Sequence, residues 1–224
     1  MGVFKKHGSV EKQAGFSPDM GLINAQALVE LSEEDVFIFR LAACDDQIDR
    51  DYERFTRKTL DQMAGLFIGR PIIMDHIWSA KGQTARIYDS EVQEAAGVTR
   101  LVLSAYMLRN ETSAPAISAI EGGILREVSV GCSVKHCVCS ICGTDKAETW
   151  CGHRPGKEYD GETCVVDLDE AVDAYELSFV AVPAQREAGV TKAYGGEGRQ
   201  EAEQKEIELQ RAKAMLELEK NRFA

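Results

Sequence analysis

Three stretches of the chain each carry one group able to take part in acyl transfer. Pro71-Ile72-Ile73-Met74-Asp75-His76 ends on an imidazole. Arg126-Glu127-Val128-Ser129-Val130-Gly131-Cys132 centres on a hydroxyl. Tyr175-Glu176-Leu177-Ser178-Phe179-Val180-Ala181-Val182-Pro183-Ala184 carries a carboxylate near its start. A serine hydroxyl is a weak nucleophile until an adjacent base takes its proton, and an imidazole serves best when a third group fixes its tautomer. His76, Ser129 and Glu176 supply those parts if the fold brings them together. Each has rivals. Ser133 lies on the same strand face as Ser129 and is a second candidate hydroxyl. Asp167, Asp169, Glu170 and Asp173 offer other carboxylates. Gly131 permits close backbone approach by a substrate or an oxyanion. Arg126 either stabilises charge there or is a surface cation.

A second constellation points to a metal. Cys139-Ser140-Ile141-Cys142-Gly143 is followed closely by Cys151-Gly152-His153. A Cys-x-x-Cys-Gly knuckle turns tightly, so two thiolates can meet one ion, and a Cys-x-His pair completes a tetrahedron of the kind Zn²⁺ prefers. The expected ligands are therefore Cys139, Cys142, Cys151 and His153, with Cys137, His136 and Cys164 near enough in sequence to substitute. Four protein ligands leave no place for water, so the expected zinc is structural. The surrounding segment, 137–161, is too polar to bury a core and would draw its folding energy from the ion. A catalytic zinc would need an open position and a base such as Glu148, which a Cys-rich set disfavours.

Several elements must position these groups. Val36 to Ala43 reads as a buried strand, and Thr56 to Phe67 as a helix, with Leu60, Met63 and Phe67 at helical spacing. Thr84 to Val92 and Val98 to Leu108 read as a strand pair, and Glu111 to Ile120 as a short helix with Asn110 as N-cap. Ile124 to Val134 is a strand with Ser129 inside it. Cys164 to Leu168 and Ala174 to Val182 are two more strands. Many short strands with two helices predict a compact barrel or sandwich. The chain divides into an N-terminal arm (1–35), a β domain (36–194) and a tail (195–224). That tail is a Gly-rich junction at Gly195 to Gly198 followed by a run of strong helix formers. Leu209 and Leu216 are the start of a weak heptad, so the tail is either a solvated helix or a contact for a homo-oligomer.

In this order the three reactive segments resemble those of the prohead (capsid-maturation) serine proteases of tailed phages, distant relatives of the herpesvirus assemblins. The resemblance runs from about Val36 to about Lys192. It implies an α+β, mainly β fold: an assemblin-like closed β-barrel flanked by helices, here with a small metal-stapled insert and a C-terminal helix. It implies His76 as general base, Ser129 as nucleophile and Glu176 as third member. Assemblin-type sites use a second histidine in that last place, for which His136 and His153 are the candidates. Cys132 departs from the family, where an aromatic residue often follows Ser-x-Gly. The implied substrates are scaffold and major capsid protein segments, and the chain itself, inside an immature phage capsid in the host cytoplasm. Gly195 to Gly198 would then be a self-cleavage or linker site, and the helix beyond it a packaging tag. The alternative is a non-catalytic phage structural or scaffold protein with the same fold and a structural zinc.

Composition narrows the classes further. With 224 residues the chain can bury one good core with material to spare. Its 26 basic against 37 acidic residues give a net charge of −11, which disfavours a nucleic-acid groove. No apolar run approaches the roughly 20 residues needed to cross a bilayer, and no signal peptide is visible, so a cytosolic, membrane-free setting is expected. Seven cysteines is an odd number, and clustering of four between Cys137 and Cys151 favours metal over disulfides.

Overall fold

Strand β1 (Val36–Asp45) is buried at nine of its ten positions, so it must be covered on both faces. The computed structural model describes residues 18–194 and shows how. Phe37, Phe39, Leu41 and Ala43 point into the main core, while Val36 and Ile38 point into a second cluster with Ile23, Tyr88 and Tyr106. Ile23 comes from a short helix, α1 (Met20–Asn24), so the last part of the expected N-terminal arm closes the outer face of β1. Residues 1–17 and the expected Gly-rich junction and tail helix lie outside the described residues.

The remaining elements follow in chain order: β2 (Glu53–Phe55), α2 (Arg57–Phe67), β3 (Pro71–Met74), β4 (Ala85–Ala95), β5 (Val98–Leu108), α3 (Ala114–Glu121), β6 (Val128–Cys139), β7 (Glu158–Tyr159), β8 (Glu162–Thr163), β9 (Val166–Phe179) and β10 (Gly189–Tyr194). One sheet runs β10-β1-β5-β4-β3-β9-β2, with β6 on the other side of β9; β7 and β8 form a separate hairpin. Strands β2 and β3 pair in parallel with opposite ends of β9, and the other pairs are antiparallel. Among the described residues no helix is long and apolar enough to cross a membrane.

This mixed, mainly β sheet corrects the expected closed barrel flanked by helices. Its ends, β10 and β6, meet at one isolated bridge, Glu127 with Gly189. Past Val128, β6 turns its second edge to a cavity instead of to β10. Closure would need a continuous ladder there, and the described residues form none.

Strand β9 is one 14-residue element where the sequence predicts two. Its middle is acidic, which reads as a loop. Each of those acids has a partner that lets the strand continue. Asp167 pairs with Arg54 and Asp173 with Arg70; Asp169 binds Thr56 and Lys58, and Glu170 binds Lys58 and Lys135. Helix α2 lies against β9, burying Leu60, Met63 and Phe67, with Thr56 Oγ1 capping it by accepting from the Thr59 N–H. Helix α3 begins later than expected. Asn110 caps a turn before it, accepting from Ser113 N, and Pro115 then sits in its first turn. Phe179, Phe39 and Phe37 stack through the core at centroid distances of 6.2 and 5.6 Å, so the end of β9 is anchored where the chemistry-bearing segments converge.

Candidate active site and metal centre

The parallel pairing of β3 with β9 brings His76 to Glu176. Met74 is opposite Phe179, and the chain then turns sharply, with Asp75 at φ 52° and His76 at φ 55°. Two successive non-glycine residues in the left-handed region are strained. Two hydrogen bonds from β9 hold them: Asp75 N–H donates to the Phe179 carbonyl at 2.9 Å, and His76 N–H donates to Ser178 Oγ at 3.1 Å. The turn places His76 Nδ1 2.8 Å from Glu176 Oε1. The imidazole is 43% exposed and the carboxylate 4%. A buried carboxylate against Nδ1 leaves Nε2 for a second partner.

The antiparallel pairing of β6 with β9 supplies the hydroxyl. Ser129 is directly opposite Ser178, and Gly131 directly opposite Glu176. Opposed residues share a sheet face, with Cβ atoms about 4.5–5.5 Å apart. Ser129 therefore shares the face of Ser178 and Glu176. Ser129, His76 and Glu176 all line one cavity of about 590 Å³. No hydrogen bond joins Ser129 Oγ to His76; catalytic hydrogen bonds commonly tighten only when substrate is bound.

Gly131 has a different reason from the one its sequence context suggests. A Cβ there would overlap Glu176 Oε1 and sit 3.0 Å from Glu176 Cδ. The carboxylate lies flat over the bare backbone, so the glycine makes room for the acid rather than for an oxyanion. The rivals are placed elsewhere. Ser133 does not line the cavity. The acids Asp167, Asp169, Glu170 and Asp173 are held by their own cations. His136 is bound to Asp145 at 2.6 Å. Arg126 does not line the cavity; its carbonyl accepts from Val190 N–H.

Other lining residues set the character of the site. Trp78 and Tyr175, with centroids 5.5 Å apart, form an aromatic pair at the cavity. Among the described residues the lining contains Asp49, Asp51, Glu53 and Glu176 but no lysine or arginine, so its field favours neutral or cationic guests. Cys132 also faces in, and burial, then the charges of Glu176 and Glu53, push its thiol up to about 11. It stays protonated at neutral pH and is a poor nucleophile. Sequence reading missed Ser178, although two-residue alternation from Glu176 puts both side chains on one face.

The four expected metal ligands also meet. The donor atoms of Cys139, Cys142, Cys151 and His153 all lie within 4.8 Å of one another, a spacing that could hold a metal ion. The knuckle closes as Gly143 N–H donates to the Cys139 carbonyl at 2.8 Å, with Gly143 at φ 70°. The Thr144 hydroxyl and amide, with His153, pull the Cys142 thiol down to about 6, which favours a thiolate donor. Tyr159 of β7 packs edge-on to His153 at 4.6 Å and so orients it. Of the possible substitutes, Cys164 Sγ is fully buried, 3.8 Å from Cys139 Sγ. Asp145, bonded to the Cys137 and Ala147 amides, holds His136 away. Glu148 groups with His136 and Asp145, not with the Cys-rich cluster.

The two centres are far apart. Cys139 is opposite Val166 and Ser129 opposite Ser178 on the same ladder, at most roughly 30 Å apart at about 3.3 Å per residue, and none of the four cluster residues lines the cavity. Comparison with protein-family models, with curated proteins and with solved structures finds no match for the chain.

Proposed function

We propose that the protein is a serine endopeptidase of the prohead-maturation type, with Ser129 as nucleophile, His76 as general base and Glu176 as the acid that orients it. The observation that carries this reading is the His76–Glu176 hydrogen bond beside Ser129 in one cavity. Ser129 attacks a peptide carbonyl as His76 takes its proton. The imidazolium returns that proton to the leaving amine, and water hydrolyses the acyl-enzyme. Substrates are extended scaffold and capsid segments and the chain itself, within an immature phage shell in the host cytoplasm. The acidic lining and the aromatic pair favour neutral, aromatic or basic residues near the cut. The ion of the second centre is zinc, since three thiolates and an imidazole suit it, and its role is to fold the insert.

Expression of the full chain, followed by intact mass measurement, tests this. The natural chain is expected to truncate itself and Ser129→Ala to stay whole. Equal truncation of both would overturn it. The lack of a Ser129–His76 hydrogen bond favours a second reading, a non-catalytic structural or scaffold protein stapled by zinc. That reading predicts intact mass for both proteins.

A further inference from the structure

We propose that Ser178 is a positioning residue that locks the base and the acid together, an inference that rests on the Ser129–His76–Glu176 reading. Ser178 is 0% exposed, so its hydroxyl is cut off from bulk solvent. Both of its bonds go to the pair. Ser178 Oγ donates to Glu176 Oε2 at 2.6 Å and accepts from His76 N–H at 3.1 Å.

Each bond removes one freedom that the pair would otherwise have. A carboxylate turns easily about its last torsion, which has broad minima. Ser178 holds Oε2, and this leaves Oε1 aimed at His76 Nδ1. The backbone at His76 is left-handed, a conformation that needs outside support. Ser178 gives that support at the amide of the base itself. Ser178 is also the cross-strand partner of Ser129. One rung of the β6–β9 ladder therefore carries the nucleophile on one strand and the anchor of its base on the other. Packing alone would be met by alanine; two short polar contacts to the same catalytic pair would not.

The test uses the full chain with its metal and needs no substrate for its first readout. An imidazole N–H bonded to a carboxylate gives a far-downfield proton resonance, assigned here by its loss in Glu176→Gln. The natural protein is expected to show it, and Ser178→Ala to lose it while keeping its melting temperature within a few degrees. Ser178→Cys, close in size but a weak hydrogen-bonding partner, should behave like Ser178→Ala and covers the case in which alanine fails to fold. In the peptidase assay kcat should drop roughly tenfold with KM unchanged. Retention of the resonance in both variants, or its absence from the natural protein, would overturn the proposal. A natural protein that shows the resonance yet cleaves nothing would refute the peptidase reading and leave the lock standing.

Discussion

Replacing Gly131 by alanine probes the site at its tightest point. The new Cβ would overlap Glu176 Oε1 and lie 3.0 Å from Cδ. Both backbones are fixed in the β6–β9 ladder, so the Glu176 side chain must swing away. That motion breaks its 2.8 Å bond to His76 and its 2.6 Å bond to Ser178. A hydrogen bond to a charged group contributes about 1.5–3 kcal/mol. At 1.36 kcal/mol per factor of ten, loss of the His76 bond lowers kcat/KM about 10- to 150-fold. Overpacking should cost about 1–3 kcal/mol of stability, or roughly 2–12 °C in Tm for a chain of this size. The assay is cleavage of a peptide spanning the chain's own truncation point, beside calorimetry. Because the alanine acts through Glu176, the two changes should not add: Gly131→Ala with Glu176→Gln should be little worse than Glu176→Gln alone. Gly131→Ala with natural turnover and Tm would refute the argument, as would additive losses in the pair.

Three other outcomes follow from the same geometry. Chelation should remove one metal ion per chain and abolish amide protection between Cys139 and Cys164, while β1, β4 and β5 keep theirs; hydrogen exchange read by mass spectrometry decides it. Cys132, with its thiol raised to about 11 by burial first and then by Glu176, is neutral below that value. Alkylation at pH 7.5 should spare it, and its rate should climb about tenfold per pH unit towards 11. Phe179→Ala, at 1% exposure under the His76 turn, should cost about 3–5 kcal/mol in denaturant unfolding.

Much of the site was legible because its residues obey simple periods. The Cys-x-x-Cys-Gly and Cys-x-His spacings brought four donors together; Ser178, two residues from Glu176 and so on its face, was recorded by the same kind of period yet missed. The global arrangement was not legible. Whether a sheet closes depends on pairing between β10 and β6, which are remote in sequence and touch at a single bridge, and no local pattern records it. Strand β9 was read as two because its central acids look like a loop; their cations come from β2, α2, β6 and the turn before β3. Gly131 was read through its own neighbours, although its reason lies on another strand. In each case the deciding contact joins distant segments, while the sequence speaks most clearly about near ones.

The β6–β9 ladder has a mechanical consequence. A slip of one residue between two strands turns every side chain to the opposite face, which here would carry Ser129 away from the imidazole. The thiol knuckle clamps the far end of the same ribbon, where Cys139 meets Val166. An ion held there would act as a pawl, opposing that slip from a distance without touching Ser129.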